Sequence, residues 1–222
     1  MTGGNPKAKR ACAILVADNN MAAAFRGYLT RDQWHRSLGC ARFEFDPALG
    51  GDLLVAERRD PGVFTEAHAL LDSYRDTHRH AIIALDCEWC GAPPKAEIVE
   101  RIMANMVAKG WAAGDVQVIA IEPELENWIW QDNPNVAAAL RYKSEPPLRQ
   151  LLEQNQHWPA GQAKPTRPKE TTEWVLRQTR TPRSSALYEA LASRVSIKNC
   201  TDEAFQELRT ALQTWFPNGV AA

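Results

Sequence analysis

No part of this sequence stays apolar for long. The longest unbroken run, Ala11–Ala17, is seven residues, far short of the ~20 that a membrane-spanning helix needs. It follows MTGGNPKAKR and ends at once in Asp18-Asn19-Asn20, with no small-residue cleavage site, so no export signal is expected and the chain reads as soluble and cytoplasmic. Glycine is sparse, 12 of 222 residues, and nowhere spaced as a phosphate-cradling loop. Without G-x-S-x-G, a Walker A loop or G-x-G-x-x-G, the α/β-hydrolase, P-loop and dinucleotide enzymes lack their marks. Cysteine is also scarce: the five residues are odd in number and scattered, and in a chain with no export signal they read as reduced thiols. His35, His68 and His157 have no partner at motif spacing. There is no internal repeat and no low-complexity block.

What is present is ordinary in amount and uneven in placement. Apolar residues at 45% and charged residues at 24% are globular values, which exclude disorder for most of the chain. A length of 222 residues suits one large domain, or one domain with an appendage. The net charge of −1 hides a split: residues 1–133 carry an acidic surplus of five, and residues 134–222 a basic surplus of four, concentrated between Lys143 and Lys198. A basic C-terminal part hints at a polyanion partner; a solvated helical surface is the plainer account.

Three apolar runs read as buried strands: Ala11–Ala17, Ala81–Leu85 and Val116–Ile121. Arg42–Phe45 and Leu53–Ala56 are shorter strand candidates that could pair as a hairpin. Helices are expected from Met21 to about Arg31, from a Thr65 N-cap through Arg79, over Lys95–Lys109 after Pro93-Pro94, and over about Glu124–Gln131. After Pro134 the texture becomes helical, with a short helix following Pro146-Pro147 and others over Glu170–Gln178, Ser184–Arg194 and Asp202–Trp215. Strands alternating with helices predict an α/β fold: a mainly parallel sheet flanked by helices, with a helical C-terminal part. The division falls at residues 1–135 and 136–222, the latter being a separate region or packed on the same domain.

Acidic residues stand where the three strands end: Asp18, then Asp86 with Glu88, then Glu122, Glu124 and Glu126. Ligands of open parallel sheets bind outside the carboxyl ends of the strands. If the strands are neighbours, these acids converge on one rim, and carboxylates held together call for a cation. Mg²⁺ takes a few carboxylate oxygens, keeps several waters and suits phosphate chemistry. Alternate residues of an extended segment face one way, so Asp86 and Glu88 are expected to reach one ion. The competing account makes each acid a helix cap or a partner of the helix dipole.

The residues Ile14–Asp18, Ala81–Glu88 (AIIALDCE) and Ile119–Trp130 (IAIEPELENWIW) resemble the Toprim fold, in particular the small prokaryotic RloB-like and related Toprim-like proteins found with phage-defence gene clusters. The resemblance covers about the first 135 residues, with a weaker echo in Lys164-Pro165 and Pro168-Lys169-Glu170. It implies a Toprim-like sheet in which Asp86, Glu88 and Asp18 hold Mg²⁺ or Mn²⁺. It further implies a nuclease-like attack on a nucleic-acid phosphodiester, within an anti-phage defence system and alongside other defence proteins; beside it, the strand-end acids themselves lead to the expectation that Asp18 or Glu122/Glu124 positions or activates water. The chain departs from the pattern in carrying Asp18-Asn19 where the family has Glu-Gly, and Glu88 where it has Asp.

Lys164, Arg167, Lys169, Arg177 and Arg180 are the residues expected to neutralise phosphates. Trp128, Trp130, Trp158 and Trp174 lie among or near them, to stack bases or simply to fill the core. Two other functions compete: a non-catalytic subunit of a defence complex with a degenerate site, and a thiol-redox protein built on Cys87-Glu88-Trp89-Cys90. A helix start would lower a thiol pKa there, and the intervening carboxylate would raise it. A zinc site would need His78 and His80 beside the two thiols.

Overall fold

The computed structural model describes residues 8–197 and 200–219; the N-terminal stretch read above for an export signal, through Lys7, and Lys198 at the end of the basic region lie outside them. Four strands, β1 (Arg10–Val16), β2 (Leu53–Val55), β3 (His78–Asp86) and β4 (Val116–Ile121), form one parallel sheet in the order β2-β1-β3-β4. Cys12–Val16 and Ala81–Leu85 are buried at every position, so both faces of the sheet are covered, which is why these strands are uniformly apolar rather than alternating. The α/β expectation holds.

On one side, α1 (Asn19–Thr30) packs with α9 (Ser185–Arg194), and α10 (Glu203–Trp215) packs on β4, its Phe205 ring meeting Tyr28 of α1. On the other, α3 (Arg59–Leu70) and α4 (Lys95–Ala108) pack on each other and on the strands. Small residues let α1 and α9 approach closely: a Cβ on Gly27 would stand 2.6 Å from the Glu189 carbonyl and 2.8 Å from the Ala192 Cβ. The remaining helices are short: α2 (Trp34–Leu38), α5 (Glu126–Ile129), α6 (Pro134–Ala139), α7 (Leu148–Gln154) and α8 (Pro168–Gln178). Helices of the 136–222 region share one hydrophobic core with the sheet. No helix among the described residues is long and apolar enough to cross a membrane.

Four expectations are corrected. The helix placed at Thr65–Arg79 runs from Arg59 to Leu70. Thr65 lies inside it, its hydroxyl donating to the Pro61 carbonyl at 2.8 Å, and the chain must leave the helix early because His78 already pairs with Arg10 in the sheet. Arg42–Phe45 is not a strand: Phe43 and Phe45 alternate inward because they pack against the core, Phe43 4.7 Å from the Trp34 ring and 4.2 Å from Phe216. No hairpin forms, since Leu53–Val55 pairs in parallel with β1. Helix α5 is also shorter than the expected Glu124–Gln131.

At the amino end of the sheet a single carboxylate organises the structure. Asp52, fully buried, accepts from Arg10 Nη2 (2.7 Å), the Asp46 amide (2.7 Å) and His78 Nε2 (2.9 Å). Burial alone would push its pKa up; the hydrogen bonds from Arg10, the Asp46 amide and His78 outweigh that and hold it below the ordinary aspartate value.

Candidate functional site

The strand order reverses direction between β1 and β3: the chain moves outward from β1 to β2, then returns to the other side of β1 for β3 and β4. In open α/β sheets the crevice at such a switch point, outside the carboxyl ends of the strands, is where ligands sit. Some of the acids following these strands lie near enough there to influence one another, while Glu88 and Glu122 are exposed.

Asp18 follows β1 and caps α1, its Oδ1 accepting from the Asn20 and Met21 amides at 2.8 Å each. Asp86 ends β3, and its Oδ1 accepts from the Leu125 amide at 2.8 Å, which ties the strand to the loop after β4. Between them stands a residue the sequence reading missed. Asp60, in the first turn of α3, accepts through Oδ1 from the Asp86 amide at 2.8 Å. Its signal was available, an acid just beyond the apolar run Leu53–Ala56, but placing the helix start at Thr65 hid it.

The electrostatics confirm that these groups feel one another. Burial pushes the Asp60 pKa up, and the Asp18 charge adds to it, against the amide bonds that lower it. Asp86 is raised well above the ordinary value, first by burial and then by Asp60, Glu126 and Glu124, the Leu125 amide offsetting only part. Glu124, buried, is raised by burial and by Glu126 in spite of Lys169.

The third cluster is largely neutralised from within. Glu124 accepts from the Lys169 amide at 3.0 Å and pairs with Lys169 Nζ at 3.3 Å. Glu126, 1% exposed, accepts from the buried Tyr188 hydroxyl and pairs with Arg183 Nη2 at 2.8 Å. Glu122 is exposed. Glu88 is exposed too and lines a cavity of about 320 Å³ with Pro123, Glu124, Thr166, Arg167, Pro168 and Glu170.

Several expected binding residues are engaged elsewhere. Lys164 is half-buried, its ammonium donating to the Asn127 and Trp130 carbonyls at α5, and burial lowers its pKa. Lys169 serves Glu124, and exposed Arg167 faces Glu170 at 3.2 Å. Arg177 and Arg180 are exposed and make no ion pair among the described residues. Trp128, Trp130 and Trp158 are fully buried core residues, so they offer no face to a base; Trp174, partly buried, leans on His157 at 4.6 Å.

Cys87, the half-buried thiol of the motif, sits in a setting opposite to that of a redox nucleophile. Burial, followed by the Glu122 charge, pushes the Cys87 thiol up to about 11, where a reactive thiol needs the opposite. Zinc is corrected by distance: His80 and Cys87 lie seven residues apart on and just beyond one extended strand, or roughly 23 Å. His78 is committed to Asp52, and His80 is stacked on Trp215 at 4.4 Å.

As a cation site the rim has the right donor chemistry but no closed cage. Asp18 and Asp86 are each oriented by amides on Oδ1, and no hydrogen bond among the described residues falls on either Oδ2. Among those residues no three histidine, cysteine, aspartate or glutamate side chains are grouped to hold a metal ion. A Mg²⁺-type site does not require such a group, because that ion is bound through one or two carboxylates together with water and substrate phosphates. No protein-family model matches the chain, and no curated protein and no solved structure matches it.

Proposed function

We propose that the carboxyl rim binds a divalent cation, Mg²⁺ or Mn²⁺, and acts on a nucleic-acid phosphodiester, in the manner of the Toprim-like defence-associated proteins that its strand-end acids resemble. One observation carries the reading: at the switch point of the sheet Asp86 is fixed by the Leu125 amide beside Asp60, which holds the Asp86 amide, and burial, followed by the charges of Asp60, Glu126 and Glu124, raises its carboxyl pKa above the usual range. Asp86 and Asp18 would hold the ion through their open Oδ2 atoms, with Asp60 fixing the Asp86 backbone. A bound divalent ion supplies Lewis-acid polarisation of a phosphate oxygen. Asp86 must release its proton to serve as a ligand, so affinity climbs with pH. Glu124 is occupied by Lys169, which leaves Asp18 and exposed Glu122 to position water.

The test is Mn²⁺ titration calorimetry at two pH values, with cleavage assays on single- and double-stranded DNA and RNA. Wild type binds more tightly at the higher pH and cleaves, while Asp86→Ala does neither; identical behaviour of the two proteins ends the proposal. The internal pairing of Glu124 and Glu126 favours a second reading, a non-catalytic subunit of a defence complex with a degenerate site. That reading expects no Mn²⁺ uptake by wild type.

A further inference from the structure

Outside the rim, the end of α8 brings three arginines to one surface. A groove of about 490 Å³ is lined by Glu173, Leu176, Arg177, Arg180, Thr181, Pro182 and Arg183. Its three arginines are not equivalent. Arg183 is fully engaged: Nη2 on Glu126, Nε on the Tyr188 hydroxyl at 2.7 Å, and Nη1 toward Glu173 at 3.6 Å. It neutralises the acids on that side and joins the groove to the rim. Arg177 and Arg180 are exposed without an ion-pair partner, so the free positive charge of the groove is theirs.

The helix accounts for Arg177 alone, because a cation in the last turn suits the negative end of the dipole. Arg180 lies past the helix. The Thr181 amide donates to the Leu176 carbonyl at 2.9 Å and the Arg180 amide to Arg177 at 3.3 Å, the paired closure of a Schellman end, and Arg180 takes the left-handed position at φ 51° where glycine is favoured. Helix α6 ends in the same way: the Tyr142 amide donates to Ala137, the Arg141 amide to Ala138, and Arg141 stands at φ 56°. Arg141, however, is not in the groove. The same backbone device also closes other helices, at Gly39, Gly110 and Gln156, and it carries an arginine twice, once beside Arg177 and Arg183 and once without them.

We propose that this groove is the track for a single nucleic-acid strand, with Arg177 and Arg180 contacting successive phosphates and Arg183 holding the track against the acidic rim. The proposal rests on the phosphodiester reading of that rim and supplies its substrate-docking surface. Two exposed guanidiniums without ion-pair partners offer few phosphate contacts, which suits one strand better than a duplex with its charge every ~1.7 Å of axis.

The experiment measures binding of a fluorescein-labelled single-stranded oligodeoxynucleotide in EDTA across a series of salt concentrations, with thermal unfolding of each variant. Arg177→Ala and Arg180→Gly each weaken binding about fivefold and reduce the slope of log affinity against log salt by about 0.7. Arg180→Gly unfolds no earlier than wild type, because glycine accepts the left-handed backbone, so its loss of binding is not a loss of fold. Arg141→Gly gives the same relief and leaves binding unchanged. Unaltered binding by Arg177→Ala and Arg180→Gly, an equal effect of Arg141→Gly, or equally tight binding of duplex DNA or inorganic polyphosphate would overturn the proposal. Binding without cleavage or Mn²⁺ uptake would sink the cation reading of the rim and leave the groove standing.

Discussion

The two ends of the sheet treat a buried carboxylate in opposite ways. At the amino end, Asp52 is fully enclosed and yet ionised, because Arg10, His78 and the Asp46 amide all direct donors at it. At the carboxyl end, Asp86 receives one amide and is surrounded by Asp60, Glu124 and Glu126. The same residue type therefore stabilises at one edge and is left under-compensated at the other. The fold can thus satisfy a buried aspartate completely, and at the carboxyl end burial and the neighbouring acids are only partly offset.

The contrast sets the expected effects. The largest belongs to Asp52→Ala, which strands the half-exposed Arg10 and the buried His78; a loss of about 3 kcal/mol in urea denaturation is expected. Next come the pH profiles, with opposite signs. The folded pKa of Asp52 is depressed, so its contribution is present above the ordinary aspartate value and is lost as pH falls below about 4. The folded pKa of Asp86 is raised, so the native state binds more protons than the unfolded chain and stability declines as pH climbs above about 4. Asp86→Asn should flatten that decline and at pH 8 equal or exceed wild type by on the order of 1 kcal/mol; a variant less stable than wild type at pH 8 would break the comparison. Lys169→Ala should cost about 0.5 kcal/mol at neutral pH, because the lysine is partly exposed and its pairing with Glu124 is screened. The smallest effect is kinetic and leaves the fold intact: Cys87, its thiol near 11, should react with iodoacetamide at pH 8 at least tenfold more slowly than free cysteine.

The strand-end acids of β1, β3 and β4 were legible because each buried parallel strand is a predominantly apolar segment, broken in β4 only by Gln117, that stops at a carboxylate. The neighbourhood of those strands followed from the α/β pattern. What escaped the reading depended on contacts between distant segments. Asp60 was hidden by a helix start misplaced at Thr65, where Pro61 in the first turn was the better signal. The capture of Lys164 by the Asn127 and Trp130 carbonyls leaves no trace in local composition; a lysine in a Pro/Gly-rich loop looks solvent-facing until α5 is placed over it. Nor could Arg42–Phe45 be told from a strand, because aromatic alternation records which side is buried and not whether the backbone has a partner.

One capping residue bears on where this chain can be divided. Asp202 opens α10 by accepting from the Phe205 amide, and the same carboxylate takes the Trp128 indole N–H at 2.8 Å and the Asn127 amide group. Phe205 then closes over Trp128 at 5.1 Å and Tyr28 at 5.7 Å. A fragment ending near residue 135 would keep all four strands and all the rim acids, yet open two large aromatic rings to water beside the loop that orients Asp86. The last helix is the lid of the first half's core, and the acids depend on it without touching it.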